Sequence, residues 1–455
     1  MKTNKSFSIS LQKQIQKSHT KFDSEINKSF NELKFKQLLN RSGITKQRGY
    51  STVSILFLIM LLPFLKRTIS DIRSTHYIKS GLDAQKDSYY RFLNNERFDW
   101  RKLVYLVAIK IISSSEKVPL SQGVLIADDT IAPKSGKHME LVSYHFDHKA
   151  GRSVLGNQCL QLGYHNGINF FPIDVAFNTS SRRPNNNCRD IDKRTIGWRR
   201  RKEALSKKTD NLVQMIDRAW KSGINASFVL FDSWFAHDDV VSKILSIGYG
   251  VICRLKKGHV KYTYQGKPFT LKNLWQQVAR KQARYIGKYQ VKGICLNVTL
   301  PKSGDIRLLF VSDGKKQWHA FLCTDLELDT TEILDYYTKR WAIEVFFKDA
   351  KQMLYLGKEQ SKTFDAMVSS YSIVMLRYLL LVYIISKQRI IGPVGPLFRE
   401  ISEEQTFLHM AGKMWAYIKE LFIRSSHILS GNIELDEITH LIDIAEYRLT
   451  ELIRV

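Results

Sequence analysis

The hydrophobic positions of this chain change their period twice, and the changes divide it into regions. Residues 1–115 and 352–455 carry long apolar runs separated by polar turns, as in Val53–Leu65, which is typical of helices. The middle of the chain instead contains short apolar runs bounded by Gly, Pro, Asn and Asp, which is typical of strands. The pattern predicts a mixed α/β protein with helical regions at both ends.

Two of the short apolar runs end in aspartate. Residues 124–130, VLIADDT, place Asp128 and Asp129 at the end of a predicted buried strand, and FVLF is followed by Asp232. Open α/β sheets place their sites at the C-terminal ends of strands, so these acids are candidates for a site. A strand that is buried on both faces gives no register. The pattern therefore leaves open which of Asp128 and Asp129 faces the site.

Residues 329–354 predict a single long helix without Gly or Pro, started by Asp329 as N-cap and Glu332 as the partner in a capping box. Its polar stripe, within roughly 60° at ~100° per residue, consists of Tyr337, Arg340, Glu344 and Lys351. A carboxylate between cations suits phosphate chemistry, because Glu can hold a divalent cation while Arg and Lys bind phosphates. A solvated helix face with internal ion pairs fits the same spacing.

The charge balance favours a polyanionic partner. The chain has 70 Lys and Arg against 43 Asp and Glu, a net charge of +27, so nucleic acid comes first and an acidic membrane surface second. Residues 180–208 are rich in basic residues, among them Arg199, Arg200 and Arg201, which predict either a phosphate-contacting arm or a solvated charge run. Near the N-terminus, three short helical segments at 65–75, 81–95 and 100–112 fit either a helix-turn-helix-like module, in which 81–95 could contact DNA, or an ordinary helical bundle.

Several features bear on the cellular compartment. The five cysteines are dispersed without metal-ligand spacing, which favours free cytosolic thiols, and the N-terminus lacks the apolar core of a secretory signal. Residues 366–386 are apolar and long enough to span a membrane, but Arg377 lies at their centre, which favours a buried core helix. We expect a cytoplasmic protein without a membrane partner.

The string Y-x2-R-x3-E-x6-K, carried by Tyr337, Arg340, Glu344 and Lys351, resembles the motif of the YREK-type DDE transposases of bacterial insertion sequences, the family named after insertion sequence four. The two upstream strand-end aspartates supply the context that this motif needs. The resemblance implies a ribonuclease-H-like core in two parts, at 116–254 and 329–390, separated by a β-rich insertion at 255–328. It leaves a helical DNA-binding region at 1–115 and a helical C-terminal region at 391–455.

The resemblance also implies roles for individual residues. Asp128, Asp232 and Glu344 map onto the catalytic triad and would hold two Mg²⁺ or Mn²⁺ ions, and Asp129 stays an alternative first ligand. Tyr337, Arg340 and Lys351 would contact phosphates near the transposon end. Trp318 matches the position at which hairpin-forming relatives stack a flipped base, although a core tryptophan fits equally well.

The implied function is metal-dependent DNA cleavage and strand transfer by a bacterial, nucleoid-associated transposase, with cut-and-paste through a hairpin. Its partners would be double-stranded DNA, as terminal inverted repeats and target, and a second copy of the chain in a homodimer. Two alternatives stay open. One is a metal-dependent nuclease without integration, and the other is a non-catalytic, basic DNA-binding regulator.

Overall fold

The computed structural model describes residues 25–74, 84–115, 123–147, 150–184, 187–314, 317–359, 361–390 and 392–429, together with residues 440, 444 and 445. The chain divides into two compact units, one formed by Asn94–Val382 and the other by Met1–Leu93 with Tyr383–Val455. The predicted helical character of residues 1–24 and of most of residues 430–455 lies outside the described residues.

In chain order the α-helices are α1 Glu25–Glu32, α2 Phe35–Arg41, α3 Thr52–Leu61, α4 Lys86–Leu93, α5 Trp100–Ser114, α6 Ile196–Ala204, α7 Lys208–Lys221, α8 Asp238–Ile247, α9 Leu271–Leu274, α10 Arg280–Gln282, α11 Thr330–Thr338, α12 Trp341–Gln352, α13 Phe364–Gln388 and α14 Val394–Leu429. The strands are β1 Val124–Pro133, β2 Ser143–Asp147, β3 Arg152–His165, β4 Phe170–Asn178, β5 Phe228–Phe231, β6 Gly250–Leu255, β7 Lys261–Tyr264, β8 Lys267–Thr270, β9 Arg284–Ile286, β10 Val291–Leu300, β11 Gly304–Ser312 and β12 Trp318–Cys323. A π-helical segment, Trp275–Ala279, joins α9 to α10, and short 3₁₀ turns occupy Ile69–Ser74 and Gly287–Tyr289.

A single sheet organises the unit Asn94–Val382. Within the described ranges its strand order is β2-β3-β1-β5-β6-β12-β11-β10-β7-β8, with β4 beside β3 and β9 beside β10. Strands β1, β3 and β4 form an antiparallel meander, whereas β5 and β6 run parallel to β1. The predicted strands are confirmed, and the fold is the mixed α/β type that the sequence predicts. The prediction that the first strand ends at Asp128 and Asp129 is wrong, because β1 continues to Pro133 in its pairing with β3.

The centre of this sheet is covered on both faces. Residues Val124–Ala127 of β1 are buried without alternation, as are all residues of β5 and of β4. Continuous burial is the mark of a strand packed between layers, and it explains why the apolar run gave no register. Helix α5 packs against β4, where Arg101 pairs with Asp174 across 2.7 Å, so this helix belongs with the sheet.

The predicted β-rich insertion at 255–328 is β-rich, but its strands extend the core sheet. Strand β12 pairs antiparallel with β6, with Ala320 opposite Leu255, and β11 and β10 follow outward in the same sheet. The alternation of apolar and polar residues indicated strands correctly. It carried no information about which sheet edge they would join, because pairing partners depend on long-range contacts.

Helix α13 contains the apolar run that could be mistaken for a membrane span. Among the described residues it alone is long and apolar enough to cross a membrane, and 89% of its apolar stretch is buried inside the protein. Arg377, near its middle, is buried and donates a 2.8 Å hydrogen bond to the carbonyl oxygen of Leu354. Burial lowers the pKa of Arg377 to about 9. These are the contacts expected of a core helix.

The other unit is helical in its described part. The rings of Phe30 and Phe35 stack with centroids 4.2 Å apart, and Ser402 donates a 2.6 Å hydrogen bond to the carbonyl oxygen of Phe64. The N-terminal and C-terminal helices of this unit therefore pack together. Tyr89 of α4 lies in the segment predicted to contact DNA, but it is fully buried and belongs to the hydrophobic core.

Candidate active site

Two aspartates lie just past the point where the parallel strands β1 and β5 stop pairing: Asp128 is within β1, which continues to Pro133, and Asp232 directly follows β5. Strands β1 and β5 pair with Val124 opposite Phe228 and Ile126 opposite Leu230. Continuing this register by two residues sets Asp128 level with Asp232, on strands that lie about 4.8 Å apart. The chain positions of the two acids are far apart, and the parallel register is what brings them side by side.

The third acid is linked to this pair by one arginine. Arg340 Nη1 donates to Asp128 Oδ2 across 3.0 Å, and its Nη2 donates to Glu344 Oε1 across 2.5 Å. The guanidinium group is small and planar, so the two carboxylates that bind its two terminal nitrogens must lie close to each other. Asp128 is therefore linked through Arg340 to Glu344, and it lies level with Asp232 on the neighbouring strand.

The environment of Asp128 makes its negative charge costly. Burial raises its pKa to about 7, against the lowering effects of Arg340 and the Asp129 N–H, while the charges of Asp129 and Asp232 add to the rise. A carboxylate in this position is stabilised by a positive charge brought to it. Arg340 supplies one such charge, and a divalent cation would supply a stronger one.

Asp129 faces the opposite side of the strand. Its carboxylate accepts a 2.6 Å hydrogen bond from Gln158 Nε2 and forms an ion pair with Lys208. Successive residues of a strand point to opposite faces, which explains why Asp128 meets Arg340 and Asp129 does not. The register that the sequence left open is thus resolved in the geometry, with Asp128 on the face of Glu344.

The predicted single helix at 329–354 is two helices, α11 and α12, joined at Lys339 and Arg340. The N–H groups of Ala342 and Ile343 bond to carbonyls three residues back, at 3.1 and 3.3 Å, so the chain tightens into a 3₁₀-like turn there. Arg340 keeps right-handed helical angles, with φ −55° and ψ −28°. The predicted capping box of Asp329 and Glu332 is confirmed.

The remaining residues of the polar stripe also reach the site. Lys351 Nζ donates to Thr130 Oγ1 across 2.6 Å, and Thr130 lies on the same face of β1 as Asp128. Tyr337 is half-buried, with its ring 4.8 Å from that of Phe321 and the Arg340 guanidinium 5.8 Å from its centroid. Burial raises the pKa of Tyr337 to about 12, so its hydroxyl stays a hydrogen-bond donor.

Trp318 lies at the start of β12, on the same sheet edge as the acids. Because β12 is antiparallel to β6, it stands beyond Leu255, past the C-terminal end of that strand. Its ring stacks on Trp275 with centroids 5.4 Å apart and an interplanar angle of 15°, and Lys257 Nζ lies 4.1 Å above it. Trp318 is half-buried, so the geometry is compatible with both of its predicted roles.

The three arginines predicted to contact DNA divide into two groups. Arg199 is exposed on α6, as that prediction requires. Arg200 and Arg201 are buried, with 5% and 2% of their surface exposed, which contradicts a role for them in contacting DNA. Arg201 pairs with Glu140 at 2.6 Å and with Asp365 at 2.7 Å, and the Arg200 guanidinium lies 5.7 Å from the centre of the Phe177 ring.

Replacing Arg201 with Met is expected to lower the free energy of unfolding by about 3–5 kcal/mol, because Glu140 and Asp365 would stay buried without their shared cation. The neighbouring exposed Arg199→Met is the matched control and should stay within about 0.5 kcal/mol. Urea denaturation followed by circular dichroism measures both. Equal losses for the two variants would contradict a structural role specific to Arg201.

Sequence reasoning missed the residues that hold the second acid-bearing loop. Trp234 donates its backbone N–H to Asp232 Oδ1 across 2.9 Å, and its ring lies 3.6 Å below the Nζ of Lys208. Trp234 was visible two residues after the strand-end acid. Lys208 lay within a basic run, where nothing in the pattern distinguished it from its neighbours.

Two family models match the chain. One, described as DDE superfamily endonuclease, matches residues 42–290, more than half of the chain, and includes Asp128 and Asp232. The chain belongs to the DDE superfamily endonuclease family. The second model, described as Transposase DDE domain, matches residues 201–380 and includes Asp232 and Glu344. None of the curated proteins matches the chain. The predicted DDE transposase resemblance is confirmed at this level, and DNA is the substrate class of this DDE endonuclease.

The residues of this DDE endonuclease fit a divalent cation in their donor chemistry. Three carboxylates supply the hard oxygen ligands that Mg²⁺ and Mn²⁺ prefer. Among the described residues, no three His, Cys, Asp or Glu side chains stand together in a complete ligand arrangement. Arg340 lies between two of the candidate ligands, Asp128 and Glu344. Burial raises the pKa of Asp128, so a further positive charge beside it would be favourable.

Proposed function

We propose that this chain is the transposase of a bacterial insertion sequence, of the YREK type named after insertion sequence four, which cleaves DNA at element ends and transfers the strands. One observation carries the proposal. Arg340 joins Asp128 of β1 to Glu344 of the motif, and Asp232 lies level with Asp128 on the neighbouring parallel strand, which supports a shared site. A solvated helix face would have no reason to meet a buried strand end.

A ribonuclease-H-like core is part of this proposal. It is supported by the order β4-β3-β1-β5-β6, in which an antiparallel meander is followed by two strands parallel to β1. It is also supported by Asp128 and Asp232, side by side past the paired part of β1 and β5, and by a third acid on a helix packed against β1. The matched helix-borne acid lies more than one hundred residues further along the chain, after the sheet extension.

Within this proposal Asp128, Asp232 and Glu344 hold two divalent ions, Mg²⁺ or Mn²⁺. When bound, such a pair activates a water molecule and stabilises the departing 3′-oxygen in an in-line displacement at phosphorus. The partial burial of the carboxylates strengthens their attraction for cations, since charges interact more strongly where water is less abundant.

The cations around the acids have a separate task, which is to orient the DNA. Arg340 can pass from its carboxylate partners to a phosphate and hold it with two parallel hydrogen bonds. Lys351 adds a point charge on the same face, and the Tyr337 hydroxyl, with its pKa raised to about 12, donates a hydrogen bond. Exposed Arg199 contributes to backbone contacts further away.

Cleavage through a hairpin, with Trp318 as the aromatic that receives a flipped base, is the finer part of the proposal. Trp318 is supported by its place on the acid-bearing edge of the sheet and by its exposed share beside Lys257. Stacking on an aromatic ring contributes about 1–3 kcal/mol per base, enough to offset part of the cost of unstacking. A homodimer that bridges two element ends, in the bacterial cytoplasm on the nucleoid, completes the proposal.

The test uses duplex DNA taken from the flanks of the gene, labelled at one end and incubated with the full chain and Mg²⁺. We expect nicks at defined positions, a hairpin that migrates slowly on a denaturing gel, and joined product when a target plasmid is added. Cleavage without joined product would favour the metal-dependent nuclease. Binding without cleavage, unchanged in Glu344→Ala, would favour the non-catalytic regulator.

A further inference from the structure

Lys208 occupies an unfavourable place for a cation. It is the first residue of α7, a 14-residue helix whose N-cap makes no side-chain hydrogen bond. The positive end of the helix dipole lies there, where a positive side chain is destabilising and an acidic one is preferred. The side chain is also mostly withdrawn from water, with 11% of it exposed. Both costs must be offset by what Lys208 contacts.

The Lys208 ammonium group contacts both acid-bearing segments, and the Phe235 ring lies further off, with its centre 5.3 Å away. The ammonium forms an ion pair with Asp129, the residue after Asp128 on β1. It also lies 3.6 Å from the centre of the Trp234 ring, in the loop after β5, within the range of a cation–π interaction. The ammonium thus joins the middle of β1 to the loop that carries Asp232.

Each partner is connected directly to a proposed metal ligand. The Asp129 N–H donates to Asp128 Oδ1 across 2.8 Å, and the Trp234 N–H donates to Asp232 Oδ1 across 2.9 Å. A further hydrogen bond from Gln158 holds the Asp129 carboxylate at 2.6 Å. The two ligands therefore receive their orientation from residues that Lys208 ties together on the reverse face of β1.

We propose that Lys208 is a positioning residue that sets the spacing between Asp128 and Asp232, and thereby the affinity of the site for its divalent ions. The inference rests on the proposed function, in which both aspartates are ligands. Residues that orient metal ligands from behind typically contribute 10–100-fold to metal affinity or activity. Lys208 touches neither the ions nor the DNA in this role.

A simple electrostatic role would have the opposite sign. Removing a positive charge near a cation site should tighten cation binding, because a repulsion is lost. Loss of the spacing should weaken it instead. The direction in which Lys208→Met changes the cation affinity therefore distinguishes a positioning role from a purely electrostatic one.

The experiment measures Mn²⁺ binding to the full chain by isothermal titration calorimetry, without DNA, together with the Mg²⁺ dependence of cleavage. Lys208→Met should weaken Mn²⁺ binding about tenfold and shift the half-maximal Mg²⁺ concentration upward by a similar factor. Lys208→Arg should recover most of this loss, because it keeps a cation in reach of both partners. Lys207→Met, at the exposed neighbouring position, should stay within about twofold.

A second variant keeps the test valid if Lys208→Met folds poorly. Trp234→Leu removes the aromatic end of the link and leaves the Asp129 ion pair in place, so we expect a smaller loss, about threefold. DNA affinity in EDTA, read by fluorescence anisotropy, should be unchanged in all these variants. A drop in that affinity for Lys208→Met would overturn the proposal in favour of a phosphate contact.

The failure of this inference differs from failure of the proposed function. If Asp232→Ala and Glu344→Ala abolish Mn²⁺ binding while Lys208→Met leaves it within about twofold or tightens it, the positioning role is wrong and the metal site stands. If Asp232→Ala and Glu344→Ala leave Mn²⁺ binding unchanged, the assignment of ligands itself is wrong, and the positioning role is withdrawn with it.

Discussion

Asp128→Asn is expected to reduce cleavage of element-end DNA at least about a thousandfold, because a metal pair provides several kcal/mol of transition-state stabilisation and tenfold in rate corresponds to ~1.4 kcal/mol. The amide keeps the size of the carboxyl group but offers only one neutral oxygen to an ion. DNA affinity in EDTA should change less than about twofold, since the substitution removes no cation. Single-turnover cleavage on a denaturing gel and fluorescence anisotropy measure the two quantities.

Asp129→Asn is the matched control, one residue away on the same strand. Its carboxylate pairs with Lys208 on the other face, so we expect a loss of only about tenfold, transmitted through the orientation of the neighbouring ligand. If Asp129→Asn lost as much cleavage as Asp128→Asn, the first ligand would have to be reassigned. If Asp129→Asn lost cleavage and Asp128→Asn did not, Asp129 would be the first metal ligand.

Arg340→Ala is expected to change DNA cleavage and metal binding in opposite directions. The guanidinium contacts both Asp128 and Glu344, so removing it relieves a competition and should tighten Mn²⁺ binding in the absence of DNA about tenfold. Cleavage should nevertheless fall about a hundredfold, because the phosphate loses a preorganised, bidentate partner in a partly buried site. Calorimetry and single-turnover cleavage report the two effects separately.

Arg340→Lys distinguishes charge from shape at the same position. An ammonium keeps the positive charge but cannot bridge two carboxylates or grip a phosphate with a planar fork. We expect cleavage by Arg340→Lys to be about tenfold below that of the unsubstituted chain, and therefore above that of Arg340→Ala. Parallel losses of metal binding and cleavage in Arg340→Ala would show instead that the arginine chiefly holds the helix in place.

The sequence predicted the elements of the site better than their connections. Asp329 and Glu332 announced the start of the acid-bearing helix because a capping box is local chemistry, read within four residues. Asp128 and Asp232 were found because apolar runs that end in acids are rare and costly. Each of these signals depends on neighbours in the chain, which a sequence displays directly.

What the sequence could not supply depended on contacts between distant segments. The sequence around Arg201 does not distinguish it from its exposed neighbour Arg199. Arg201 is buried because it forms ion pairs with Glu140 and Asp365, which are distant in the chain. The tightened turn at Arg340 was likewise not predicted, because no Gly or Pro marks it in the sequence. Sheet membership of β10–β12 required a pairing partner that lies far away in sequence.

The parallel pairing of β1 with β5 makes the enzyme unequally tolerant of changes in chain length. The segment that connects β1 to β5 begins and ends at fixed positions in the sheet. Extra residues in the exposed turns of this segment would therefore leave both acids in place. One residue inserted between Val124 and Asp128 would turn that acid toward the reverse layer, since side chains alternate along a strand. Insertions in the surface loops between the two strands should therefore be tolerated. Insertions between Val124 and Asp128, or between Phe228 and Asp232, should not be tolerated.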